Sequence, residues 1–147
     1  NNISSAYLVR DKFSNSYVLE SDLYLYNQDL IRKYEYHSNF LGFKVDRTDD
    51  WCLETKNGII TKEKVGGLDC YQMCGISYYD KETGKQMEKD IKEVFMSPGG
   101  KERYWEQVML DIRKNNYKIY LRECKSEDII EIDTFNELKA IDKTYDV

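Results

Sequence analysis

Lys56-Asn57-Gly58 separates two strand-like runs, Trp51 to Thr55 and Ile59 to Val65. A two-residue hairpin between right-twisted strands needs positive φ at both central positions, and Asn followed by Gly meets that demand at low cost. An antiparallel pair is therefore expected here, and further apolar runs extend it: Tyr17 to Leu19, Asn39 to Val45, Cys70 to Tyr79, Tyr117/Ile119/Leu121 in alternation, and Ile129 to Ile132. Helical spacing appears elsewhere. Met87, Ile91, Val94 and Phe95 make one stripe, and Tyr104, Trp105, Val108, Met109 and Ile112 make a second beyond Pro98-Gly99-Gly100. Asn2 to Phe13, capped by Ser4 or Ser5, and Asp29 to Tyr36 also read as helices, while Asp46 to Asp50 and Asp80 to Gly84 read as a loop and a turn. The expected fold class is α/β, a mixed sheet flanked by helices, with the Asn57-Gly58 hairpin projecting as a flap.

A chain of 147 residues fits one domain. Its net charge of -5 comes from interspersed Lys, Glu and Asp without a basic run, which argues against a nucleic-acid partner. No apolar stretch approaches the ~20 residues of a membrane-spanning helix, so the chain reads as soluble, cytoplasmic and without a membrane partner. Cys52, Cys70, Cys74 and Cys124 are scattered among strand-like segments. With His37 the single histidine, they read as reduced core thiols rather than a zinc set.

Chemistry concentrates in the acids. In Tyr17-Val18-Leu19-Glu20-Ser21-Asp22, strand alternation sends Glu20 and Asp22 to the same side of a strand end. Ligands of open α/β sheets gather at such ends, so the pair is either a solvated turn or a holder of Mg2+ against a phosphate. Further on, Thr134 and Glu137 form a capping box, which starts a helix just after Asp133, with Phe135, Leu138 and Ile141 facing inward. Asp133 thus lies at a strand-to-helix turn. It either serves that turn or supplies a second acid, kept ionised by the helix dipole.

The ordered series Asn1-Asn2, Ser5-Ala6-Tyr7-Leu8-Val9, Ser16 to Asp22, Asp49-Asp50-Trp51, Gly75 to Asp80, Tyr104-Trp105 and Ile130 to Thr134 resembles the bacterial CTP:phosphocholine cytidylyltransferases, of the nucleoside-triphosphate transferase superfamily. The resemblance implies a Rossmann-like nucleotidyltransferase fold, here a partial one. Residues 1–147 would be the C-terminal portion of a single nucleotidyltransferase domain, since the family's Gly-rich, Arg- and Lys-containing loop has no counterpart in them. Such a fragment alone is expected to be inactive, and its exposed sheet edge would favour a homodimer. Implied roles are Asp22 and Asp133 as catalytic Mg2+ ligands, with CTP and phosphocholine as partners. A quaternary ammonium offers no hydrogen-bond donor and is recognised by aromatic faces and negative charge. Glu20, Asp50, Trp51, Tyr78, Tyr79 and Trp105 are the substrate-binding candidates, with Glu106 a further source of charge. Two or three of the aromatics are expected to touch ligand and the others to be core. Two alternatives stand beside this reading: a sugar-1-phosphate nucleotidyltransferase, for which Lys64 of Glu63-Lys64 would meet the substrate phosphate, and a non-catalytic binding domain of the same fold.

Overall fold

The computed structural model describes residues 2–145, which leaves Asn1 of the resemblance outside the described residues. A four-stranded mixed sheet carries the chain. It is built from β1 (Ser16–Leu19), β3 (Asn39–Lys56), β4 (Ile59–Tyr79) and β5 (Tyr120–Glu123) in the order β1-β4-β3-β5, with only the β3–β5 pairing parallel. A separate ribbon pairs β2 (Leu23–Leu25) with β6 (Ile129–Glu131).

The Asn57-Gly58 hairpin forms as expected, with φ of 54° and 74° at its two turn residues. Its strands are far longer than the sequence indicates, because Asp46 to Asp50, expected to loop out, continues β3. Those polar side chains are satisfied without leaving the ladder: Thr48 Oγ1 donates to Gln72 Oε1 (2.9 Å) and accepts from Asp50 N (3.1 Å). A register shift between Thr48 and Trp51, opposite Gly66 at φ +71°, bends the hairpin. The bend folds it onto β5 rather than letting it stand away as a flap. Ile60 N donates to Ile119 O and Leu121 N to Gly58 O, both at 2.9 Å. Leu53 and Ile60 are thereby buried.

Three α-helices are present among the described residues: α1 (Ile3–Leu8), α2 (Lys81–Met96) and α3 (Phe135–Ile141). The first is shorter than expected and passes through a 3-10 turn at Arg10–Lys12; Ser4 and Ser5 lie inside it, and Asn2 occupies the cap position. Ile3, Ala6 and Phe13 still reach the core. Asp80 caps α2 by accepting from Thr83 N (2.8 Å), so the expected turn at Asp80 to Gly84 is the start of the helix. Gly84 sits inside it because a Cβ would collide with the Ser14 backbone. Met87, Ile91 and Val94 are buried as their spacing requires. The following stripe becomes a π-helical turn, Val108–Ile112, of which Val108 and Met109 join Trp105 in the main core with Leu110, while Tyr104 and Ile112 stay exposed because the wider turn breaks the expected spacing.

Asp29 to Tyr36 is not a helix beyond a 3-10 turn at Gln28–Leu30. Tertiary contacts override its weak amphipathicity: Arg122 pairs with the buried Glu35, donates to Leu30 O and reaches Tyr17 Oη. The capping box of Thr134 and Glu137 is present on α3, but that helix buries none of its residues, and Phe135 is 58% exposed instead of facing inward. No helix of the described residues is long and apolar enough to cross a membrane.

Candidate functional site

β1 stops at Leu19 because Gly75 intervenes on the neighbouring strand. Gly75 has φ +62°, its carbonyl accepts from Glu20 N (3.0 Å), and a Cβ there would lie 2.5 Å from Glu20 Oε2. A side chain at residue 75 would occupy the space the Glu20 carboxylate takes. Three residues after Glu20 the chain enters β2, where Leu23 pairs with Glu131 and Asp22 O accepts from Ile132 N (2.9 Å). Pairing of β2 with β6 thus brings together acids more than a hundred residues apart. Carboxylate oxygens of Glu20, Asp22 and Glu131 lie within 4.8 Å of one another, with Asp22 and Glu131 at exposed positions and Glu20 half-buried.

Crowding shows in the proton affinities. Burial, followed by the charges of Asp133, Glu20, Asp22 and Asp50, pushes Glu131 up to about 7. Glu20 is raised too, chiefly by burial and then by Glu106, Asp22 and Asp50. An all-oxygen donor set of this kind fits Mg2+, which binds through one or two carboxylates and keeps water and phosphate in its other positions. Asp133 stands beside this group rather than in it. Its backbone N donates to Glu137 Oε2 (2.9 Å), and its carboxylate acts on Glu131 through its charge.

The acids open into two recesses. A pocket of about 70 Å³ is lined by Glu20, Asp50, Trp51, Met73, Glu106 and Glu131, with Gly75 at its floor. Trp51 meets Tyr104 edge-on at 5.6 Å, and Asp50 is held by the Trp51 N–H (2.6 Å) and by Gln72 Nε2 (3.3 Å). Glu106 is 7% exposed, and its Oε2 is buried without a hydrogen-bond partner. Burial raises its proton affinity. On the other side of Glu20, a groove of about 380 Å³ runs past Asp22 and Leu19 to Trp105.

The structure brings Glu20, Asp22, Asp50 and Trp51 to one place, with Asp133 beside them and Trp105 in the adjoining groove. It does not bring three other candidates there. Tyr79 is 0% exposed, packed between Phe13 and Trp105 at 6.0 Å from each, and is core. Tyr78, on the opposite side of β4, packs on Tyr17 at 5.2 Å. Lys64 pairs with Glu54, and its ammonium also acts on Cys52 and not on the acids of the site. Glu131 escaped the sequence reading although a signal was there: it lies two residues before Asp133 and so shares its side of a strand.

No family model matches the chain. Among curated proteins it is similar to choline-phosphate cytidylyltransferase of Streptococcus pneumoniae, 26% identical over 97% of this chain and 62% of that protein. It is equally similar to 2-aminoethylphosphonate cytidylyltransferase of Lancefieldella rimae, 26% identical over 99% of this chain and 60% of that protein. The chain therefore spans less than two thirds of the length of these relatives. Of solved structures, the CTP:phosphocholine cytidylyltransferase from Streptococcus pneumoniae superposes with a TM-score of 0.83 at 24% identity, covering 98% of this chain and 63% of that one. The inositol-1-phosphate CTP transferase from T. maritima superposes at 0.57 and 12% identity, over 99% of this chain and 60% of that one. The fold is that of the nucleotidyltransferases, and the resemblance to choline-phosphate cytidylyltransferases holds along nearly the whole chain.

Proposed function

We propose that this chain is the metal- and acceptor-binding part of a Mg2+-dependent cytidylyltransferase, a whole protein that transfers CMP from CTP to phosphocholine and releases pyrophosphate and CDP-choline. The observation that carries the reading is the convergence of Glu20, Asp22 and Glu131 beside a small pocket walled by Trp51, Asp50 and Glu106, whose Oε2 has no hydrogen-bond partner. A trimethylammonium needs aromatic surface and negative charge but no hydrogen-bond acceptor, and Trp51 with Asp50 and Glu106 supplies both. The placement of Lys64 away from the acids speaks against a sugar-phosphate acceptor.

The acceptor's charged head would enter the pocket while its phosphate lies towards Asp22 and Glu131. There it is oriented for in-line attack on the α-phosphorus of CTP, and no protein nucleophile is required. Glu20, Asp22 and Glu131 would hold Mg2+, with Asp133 adding negative potential. The bound ion supplies charge neutralisation on the phosphate oxygens of both reactants. Holding the reactants in line contributes most of what remains of catalysis.

A second reading has its own support. The relative named for 2-aminoethylphosphonate matches over as much of the chain, and a primary ammonium would hydrogen-bond to Glu106 Oε2, which a quaternary one cannot. Isothermal titration of phosphocholine and of 2-aminoethylphosphonate, each with and without Mg2+, tests both. The proposal expects phosphocholine to bind, more tightly with Mg2+, with Trp51→Ala weakening it at least tenfold and Asp22→Ala abolishing the Mg2+ effect. Binding of the phosphonate alone transfers the assignment to it. No heat from either ligand, with the chain folded by circular dichroism, refutes the acceptor site.

A further inference from the structure

We infer that Cys74 and Cys124 form an oxidisable dithiol, whose closure into a disulfide changes the acid cluster formed by Glu20 and Glu131. Their sulfur atoms lie 3.3 Å apart although fifty positions separate them in the chain. Both are buried, at 6% and 8% exposure, in the smaller hydrophobic cluster with Leu30, Leu41 and Ile76. Disulfide sulfurs sit ~2.05 Å apart, so bond formation needs an approach of about 1.2 Å. Because β3 lies between the strands that carry them, that approach draws β4 and the end of β5 towards each other.

The two thiols are not equivalent. Cys124 is held below the ordinary thiol range, first by the hydrogen bond from Cys74 and then with help from the Arg122 guanidinium, which outweigh its burial. Cys74 is pushed up by that same hydrogen bond and by burial. Cys74 Sγ has Gln72 O as an acceptor for its proton (3.8 Å), whereas the Arg122 guanidinium acts on Cys124, which is therefore the group assigned the first attack on an oxidant. Cys52 and Cys70 make a second buried pair, in which burial first and then the neighbouring Cys70 push the Cys52 thiol up to about 11.

Burial of the Cys74–Cys124 pair selects a small oxidant, a peroxide. The Cys124 thiolate attacks one peroxide oxygen, the O–O bond breaks, and hydroxide leaves to take up a proton as water, giving the sulfenic acid. Cys74 sulfur then attacks Cys124 sulfur, its own proton and the sulfenic hydroxyl departing as a second water. Two electrons pass from the thiols to the peroxide, and one S–S bond forms.

Each cysteine is joined to the acid cluster. Cys74 precedes Gly75, whose carbonyl holds the Glu20 N–H and whose bare α-carbon makes room for the Glu20 carboxylate. Cys124, anchored by its N–H to Gly42 O (3.1 Å), leads through the turn at Ser126–Asp128 into β6 and Glu131. Drawing the sulfurs together displaces the seats of Glu20 and Glu131 relative to each other. The metal readout of this coupling rests on the function proposed above, whereas the mapping of the bond does not.

The test treats the whole chain with hydrogen peroxide and reads intact mass, disulfide-linked peptides and Mn2+ affinity. Loss of two hydrogens, a linked peptide joining Cys74 to Cys124, and a several-fold weakening of Mn2+ binding that dithiothreitol restores are expected. In Cys74→Ser, Cys124 should accumulate as a dimedone-trapped sulfenic acid, and Cys52→Ser/Cys70→Ser should oxidise as the parent does. A link between Cys52 and Cys70, or full recovery of free thiols, overturns the dithiol. Unchanged Mn2+ affinity in the linked form overturns the coupling. Failure of the reduced chain to bind Mn2+ removes the metal reading, while a mapped Cys74–Cys124 bond still upholds the dithiol.

Discussion

Glu63 offers a stability prediction that does not depend on any ligand. It lies opposite Leu53 in the hairpin, and its Oε2 is buried without a hydrogen-bond partner. Burial first, then the charges of Glu106 and Asp111, pushes its carboxyl up to about 8 from an ordinary 4.5. The folded chain therefore keeps a proton that the unfolded chain releases. Stability from protonated Glu63 is full below the unfolded value and is lost as pH rises through the folded one. A difference of ~3.5 units at 1.36 kcal/mol each sets a ceiling of about 5 kcal/mol. Because part of the side chain reaches water, we expect a loss of about 3 kcal/mol between roughly pH 5 and pH 9. Glu63→Gln keeps the shape and removes the proton, so its stability should match the parent near pH 5 and exceed it by about 3 kcal/mol near pH 9. Urea unfolding followed by tryptophan fluorescence across that range measures the difference, in which other titrating groups cancel. A stability advantage of the variant that stays flat across the range, or that widens towards acid, would refute the assignment of a buried neutral carboxyl.

Two further perturbations follow from the geometry. Gly75→Ala meets both a positive φ and the Glu20 carboxylate. It should cost about 1–2 kcal/mol of stability, by urea unfolding, and lower Mg2+ affinity about tenfold by calorimetry; unaltered Mg2+ affinity would mean that Glu20 is no ligand. Arg122→Met strands Glu35, whose side chain is 5% exposed, and should cost about 3–5 kcal/mol. Adding Glu35→Gln should recover much of that loss, and strict additivity in the double mutant would show the pair to be uncoupled.

What the sequence disclosed of the fold is local. The Asn57-Gly58 turn, the apolar spacing of α2 and the Thr134/Glu137 cap are each set by residues within a turn or two of one another, and each is present. Misreadings come where distant partners decide. Asp46 to Asp50 looks like a loop until Gln72 and Gly67 are laid against it, and 29–36 looks helical until Arg122 takes hold of Glu35. Phe135 looks like a core residue because the cap and spacing define an amphipathic helix, but neither can provide the surface for it to pack on.

The site divides along the same line. Asp22 and Glu20 were legible because alternation at a strand end is a local rule. Glu131 was not chosen because its value comes from the pairing of β2 with β6, which sets it opposite Leu23 and within reach of Asp22. The aromatics separate for a related reason. Tyr78 and Tyr79 are adjacent and so face opposite ways, and each side of β4 already has its cover: Tyr17 on one, Phe13 and Trp105 on the other. Trp51 escapes that fate because it follows the register shift at Thr48, where the bend turns it towards the acids. The polar stretch 46–50, which looked like an interruption of the sheet, is thus what delivers both Asp50 and Trp51 to the pocket.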